Sequence, residues 1–221
     1  MAFYNFIFPL EINQSKLQEL PENIFRSTKN IEALDLSHND VKIPQEIFSS
    51  IRKLKVLKLK GNDIEEIHQS HFEKLSDLYN LDVSHNKINT IDKLAFLYAT
   101  KMKHLDLSHN ALNFTDQDMP DWKNMKMLQY LDLSYNNVNI SPYEFKFTPN
   151  LKELKLHNNA IGPDLRFWQD LHFLSNDIQV DISSNRIGIV KLFIHSVTFS
   201  FNLIFPFRAC TICRPKSSIK D

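Results

Sequence analysis

The chain has 221 residues with 26 basic and 26 acidic side chains, so no bulk charge draws it to nucleic acid or to an anionic membrane. Three glycines and two cysteines leave no glycine-rich phosphate cradle, and neither G-x-G-x-x-G nor a Walker A sequence occurs. What the chain does contain is one hexapeptide in four copies: LDLSHN at 34–39 and again at 105–110, LDVSHN at 81–86 and LDLSYN at 131–136.

Aligned on the closing Asn, the units run from Ser15 through Asn39, Asn62, Asn86, Asn110, Asn136, Asn159 and Asn185, in steps of 24, 23, 24, 24, 26, 23 and 26 residues. A fixed period of this size signals a repeat architecture. Each unit reads L-x-x-L-x-L-x-x-N-x-L, most cleanly as Leu54-Leu57-Leu59-Asn62-Ile64 and Met102-Leu105-Leu107-Asn110-Leu112. An aromatic (Phe25, Phe48, Phe72, Phe96, Trp122, Phe145) precedes the next unit by six residues. About eight units make one array over 6–190 with no internal linker. The last is degraded, with Asp177 where its first Leu should stand.

The letters have physical reasons. L-x-L alternates, so it is a short strand with apolar side chains inward and the intervening ones outward. No turn can bury its own leucines, so turns stack. The expected fold is an α/β solenoid, a curved right-handed superhelix with a parallel sheet on its concave face and strands about 4.8 Å apart. The Asn stands where the chain turns inward, offering amide donors and acceptors to buried backbone groups. Asn39, Asn62, Asn86, Asn110, Asn136, Asn159 and Asn185 thus form a ladder, with Ser15 its weakest rung. The aromatic fills the wider convex side.

Function on such a scaffold lies in the outward positions of the sheet. Four residues before each Asn stand Asp35, Lys58, Asp82, Asp106, Asp132, Lys155 and Asp181. Asp and Ser here are either a binding stripe or the default filler of the strand. The departures from filler carry more information: Val56, Lys58, Lys60, His104, Tyr130, Glu153, Lys155 and His157. The run Asp82, Asp106, Asp132, flanked by His104 and Tyr130, would bind a basic or amide-rich protein surface, with Tyr130 as an anchor. With that run, all of these departures except Val56 make a ten-residue candidate face for a protein ligand.

Catalytic chemistry finds no footing. Cys210 and Cys213 form a C-x-x-C in a basic tail, without the further ligands a zinc site needs. His68 and His71 (HQSH) fall in the variable convex segment without a third ligand and read as solvated surface. Ser, His and Asp of LDLSHN recur in several turns, whereas an active site is singular. No catalytic residue, metal or cofactor is expected. His38, His85 and His109 share the slot before the Asn, as filler or as a pH-sensitive group. Three glycan acceptor sequons stand at Asn13, Asn113 and Asn139, the last burdened by Pro142.

The period, the pattern and the late Phe resemble the extracellular leucine-rich-repeat class. LDVSHNKI, LDLSYNNV and the irregular LRFWQDLHFLSNDIQVDISSNRI at 165–187 are similar to the ectodomains of Toll-type receptors, insect ones especially. The resemblance covers about 6–190. It implies a protein ligand or co-receptor on the solenoid surface, a possible homodimer, and a place at the cell surface. MAFYNFIFPL lacks a basic n-region, its Ile7, Leu10 and Ile12 already occupy repeat positions, and no cysteine-rich cap flanks the array. The expectation is therefore a receptor fragment, a truncated isoform or an incomplete gene product. An intracellular adaptor is the competing reading.

The tail, 191–221, changes composition abruptly. Three readings stay open: a degenerate turn built on Phe205, Phe207 and Cys210; a membrane span over 187–207 followed by a basic flank, through which the chain would associate with a membrane; or sequence foreign to the array.

Overall fold

Leu34, Leu57, Leu81, Leu105, Leu131, Leu154 and Val180 lie side by side on successive parallel strands. The computed structural model describes residues 10–163, 170, 174, 177–187 and the backbone of 202–204. Its strands are β1 (Leu10–Glu11), β2 (Ala33–Asp35), β3 (Val56–Lys58), β4 (Glu66–Ile67), β5 (Asn80–Asp82), β6 (Thr90–Ile91), β7 (His104–Asp106), β8 (Tyr130–Asp132), β9 (Glu153–Lys155), β10 (Gln179–Asp181) and β11 (Asn202–Ile204). Nine form one parallel sheet in the order β1-β2-β3-β5-β7-β8-β9-β10-β11, while β4 and β6 pair separately. The architecture is the expected parallel-sheet solenoid. The segments returning between strands are mostly turns, with one α-helical turn, α1 (Gln69–Phe72), and a 3-10 helix over Pro142–Phe147.

Alternation explains the burial. In β3, β5 and β7 the central leucine is fully buried and both neighbours keep solvent exposure. Each buried leucine stabilises by about 1.5–3 kcal/mol relative to an exposed one, but only once a neighbouring turn covers it. The aromatics sit opposite the sheet as a second buried column. Phe72 and Phe96 lie 6.2 Å apart at 8°, Phe96 and Trp122 5.8 Å apart at 13°, and Trp122 and Phe145 6.2 Å apart.

Each ladder Asn joins its own turn to the one before. Asn110 Nδ2 donates to the Leu107 carbonyl of its own turn (3.0 Å) and to Val83 of the previous one (3.1 Å), while its Oδ1 accepts from Ile88 N (3.0 Å). The same three bonds recur at Asn62, through Leu59, Leu36 and Val41, and at Asn185, through Ile182, Leu156 and Ile161. At the front, Asn39 Oδ1 accepts from both Ser15 N and Leu17 N, whereas the Ser15 hydroxyl turns to the carbonyl of Asn13.

One expectation needs correction and two are refined. His71 is not solvated surface: it is 2% exposed, because its Nδ1 accepts the His68 N–H at the start of α1 (3.1 Å) and draws the ring inward. Its Nε2 sits beside the Ile43 carbonyl without hydrogen-bond geometry. Burial first, then neighbouring His68, lowers its pKa to about 4 against the pull of that carbonyl and Asp92. His68 is half-buried, 3.0 Å from Glu66 Oε2 and 3.5 Å from Asp92 Oδ2. In the last unit Asp177 is exposed and Ile178 is buried in its stead, so a one-residue slip keeps the core filled. Finally, the ladder partner of β10 is β11, with Leu203 level with Val180, two residues ahead of the register built on Phe205. Apart from the backbone of 202–204, residues 188–221, Cys210 and Cys213 included, lie outside the described residues, and no helix among the described residues is long and apolar enough to cross a membrane.

Candidate functional site

The recurring Asp of the strand has a local task. Where the strand ends, the N–H of the Ser two residues on bonds to the Asp carboxylate: Ser37 to Asp35, Ser84 to Asp82, Ser108 to Asp106, Ser134 to Asp132 and Ser183 to Asp181, each at 2.9 Å. A short acidic side chain capping its own backbone two residues on is the usual Asx arrangement. The Asp-x-Ser stripe is thus tied to strand termination, and the positions that break it stand apart.

Four of those departures, His104, Tyr130, Glu153 and Lys155, sit together on β7, β8 and β9. Tyr130 Oη donates to Asp132 Oδ2 (3.0 Å) and accepts from Lys155 Nζ (3.0 Å). Lys155 also lies 3.8 Å from Asp132 and 3.4 Å from Glu153, with its ammonium 4.9 Å from the Tyr130 ring centroid. His104 stacks on Tyr130 at 4.0 Å and 10°. Burial pushes the Tyr130 phenol up to about 12 against the lowering pull of Lys155, and the bond to Tyr130 raises the Lys155 ammonium above its ordinary value. Five of the ten candidate residues (His104, Tyr130, Asp132, Glu153 and Lys155) therefore form one braced cluster.

The other five lie around it. Lys58 faces Asp35 at 3.6 Å. His157 Nδ1 stands 3.3 Å from Asp181 Oδ2. Asp82 is held by the Ser84 hydroxyl at 2.7 Å. Asp106 is half-buried, and burial, ahead of the charges of Asp82 and Asp132, raises its pKa. Lys60 lies close enough to His85 to help lower that imidazole, after burial and His109. No group of acids, histidines and cysteines among the described residues could hold a metal ion.

A second feature escapes the outward-position reading. The residue before each ladder Asn is left-handed: Gln14, His38, Gly61, His85, His109, Tyr135, Asn158 and Ser184 have φ between 53° and 68°. Non-glycine residues are uncommon there, His and Asn least so. From this slot His85, His109 and Tyr135 stack face to face along the lip of the sheet, each pair at 4.0 Å, with His157 edge-on to Tyr135 at 5.2 Å. Tyr135 is 46% exposed. The signal was in the column itself, since Gly61 and Asn158 are residues that tolerate positive φ.

The sequons differ. Asn113 and Thr115 are exposed, with Asn113 Oδ1 accepting from the neighbouring Asn137 amide (2.9 Å). Asn13 and Ser15 are exposed as well. Asn139 is exposed, but Ser141 is buried: its hydroxyl accepts from Tyr143 N and bonds to Asp170.

Comparisons place this geometry in a family. A family profile described as Leucine rich repeat matches residues 9–64, 41–88, 52–112 and 76–138, and the chain belongs to that family. No curated protein matches the sequence. Among solved structures it is similar to the Toll chain of Drosophila Toll–Spatzle complexes, at 26% identity and TM-score 0.65 over 86% of this chain and 25% of that one, and in the glycosylated form at 28% and 0.67 over 76% and 24%. A leucine-rich-repeat protein of Leptospira interrogans matches at 25% and 0.69 over 81% and 43%. The leucine-rich-repeat domain of APL1B matches at 24% and 0.63 over 80% and 55%. The chain thus spans between a quarter and about half of the length of these proteins.

Proposed function

We propose that this leucine-rich-repeat chain is a non-catalytic, protein-binding part of a Toll-type receptor ectodomain, taking a protein ligand or co-receptor on the concave face across β5, β7, β8 and β9. The observation that carries the reading is the braced cluster of Tyr130, Asp132, Lys155 and Glu153 under His104. Preorganised aromatic and charged side chains of this kind are what interface hot spots use, because little order is lost on binding. Support for the receptor class is the similarity to Toll, solved in complex with Spatzle, at 26–28% identity. An extracellular chain would carry its glycan at Asn113 rather than at Asn139, whose Ser141 hydroxyl is buried and bonded.

The test uses the full chain secreted from insect cells behind a grafted signal peptide, with Spatzle as the probe. Binding is expected, and Tyr130→Ala or Lys155→Ala should weaken it by about tenfold or more. A folded, secreted chain that ignores the probe retires the Toll-type reading. Binding that both variants leave intact retires the concave cluster.

A further inference from the structure

Charge is not spread evenly around the turns. In six turns the chain rises from the buried aromatic to the strand through 25–32, 48–55, 72–79, 96–103, 122–129 and 145–152. These segments stack in register: Lys55 N donates to Glu32 O (2.8 Å), Tyr79 N to Lys55 O (3.0 Å), Lys103 N to Tyr79 O (2.8 Å) and Lys152 N to Gln129 O (2.9 Å). Together they hold twelve Lys and Arg against three Asp and Glu. All three acids are already engaged, Glu32 by Lys55, Glu73 by Lys74 and Asp77 by Lys101, at 2.6–2.8 Å. Ten of the twelve bases are exposed.

The opposite flank, where the chain falls away from the ladder Asn, has the reverse sign. Residues 40–47, 63–71, 87–95, 111–121, 137–144 and 160–163 hold ten Asp and Glu against three Lys, two of which pair with Glu65 and Asp63. Exposed apolar side chains accompany both charges: Tyr79, Tyr98, Met127 and Phe147 on the rising flank, Leu94 and Tyr143 on the falling one. A chain with no formal net charge is therefore a slab with one basic and one acidic side.

We infer that the rising flank is a self-association surface whose occupant is the falling flank of a second copy of this chain. The excess charges are opposite and of similar size, and both flanks repeat once per turn at the strand spacing of about 4.8 Å. A copy laid alongside therefore keeps every rung level with its counterpart. Each flank also brings apolar side chains to desolvate the contact. The contact is heterologous, so copies add side by side unless their rotation closes a ring. It uses no residue of the concave cluster.

Sedimentation velocity on the full chain, made without the secretory route so that no glycan lies on the falling flank, tests this. Association is expected in low salt and dissociation to monomer in high salt, as screening requires. Lys103→Glu/Lys126→Glu/Lys152→Glu and, separately, Asp40→Lys/Glu65→Lys should each be monomeric at both salts, with unchanged far-UV circular dichroism, and an equimolar mixture of the two should associate again. Tyr130→Ala should associate like the unaltered chain, so failure here and failure of the concave reading are separable. A chain that stays monomeric in low salt, or charge-reversed variants that associate undiminished, overturns the proposal. So does sedimentation with phosphatidylserine vesicles by a chain that never self-associates.

Discussion

Two aromatic columns run along this solenoid, and they differ in every respect but direction. The convex column is buried, carbon-rich and loosely spaced, with ring centroids 5.8–6.2 Å apart. The lip column of His85, His109 and Tyr135 reaches solvent and is tight, at 4.0 Å. Strands in between sit about 4.8 Å apart. Buried rings spaced more widely than the strands make each turn broader on its convex side. The buried column works by filling space, where any lost atom leaves a void. The lip column is anchored by backbone conformation, which leaves its side chains free to differ from turn to turn.

Substitutions in the two columns should therefore diverge. Phe96→Ala should cost about 3–5 kcal/mol by urea denaturation, and a loss no greater than that of a lip variant would erase the distinction. Acid should act on the buried side next. His71 has a pKa near 4 in the folded chain against 6.5 unfolded, so the unfolded chain binds more protons between those values and stability falls as pH drops through that window. The loss should reach about 2–3 kcal/mol, and a flat profile between pH 7 and 4 in His71→Gln would assign it to this ring. Asn110→Ala strands Val83 O, Leu107 O and Ile88 N and should cost about 1–3 kcal/mol, measurable in the same titration. Tyr135→Ala, on the lip, should change stability by less than about 0.5 kcal/mol. A larger loss would mean the exposed stack helps to hold the turns together.

The same contrast explains what could be read from the letters. The period made the strand register and the buried aromatics legible, because every turn repeats them for the same reason. The lip was not legible from hydrophobic alternation: the positive φ before each Asn leaves no apolar mark, and His38, His85 and His109 looked like filler. The Asp-x-Ser cap was visible as spacing without its reason. His71 was misjudged because HQSH reads as polar, whereas one ring nitrogen caps a helical turn and the rest of the ring packs inward. Lys155 could be named as a departure, but its bond to Tyr130 joins residues 25 apart, which only the stacking of turns brings together.

The ladder has a consequence for how such a chain can change over generations. Every Asn bonds backward, to a carbonyl and an N–H that the preceding turn supplies in the same places. The identical words at 34–39 and 105–110 are therefore equivalent joints as well as equivalent letters. Recombination between them would excise three turns and set Ala111 directly after Asn39. Asn136 would then meet the Leu36 carbonyl where it now meets Leu107. Length in this protein is thus a quantity inheritance can alter in whole turns without rewriting a single bond type.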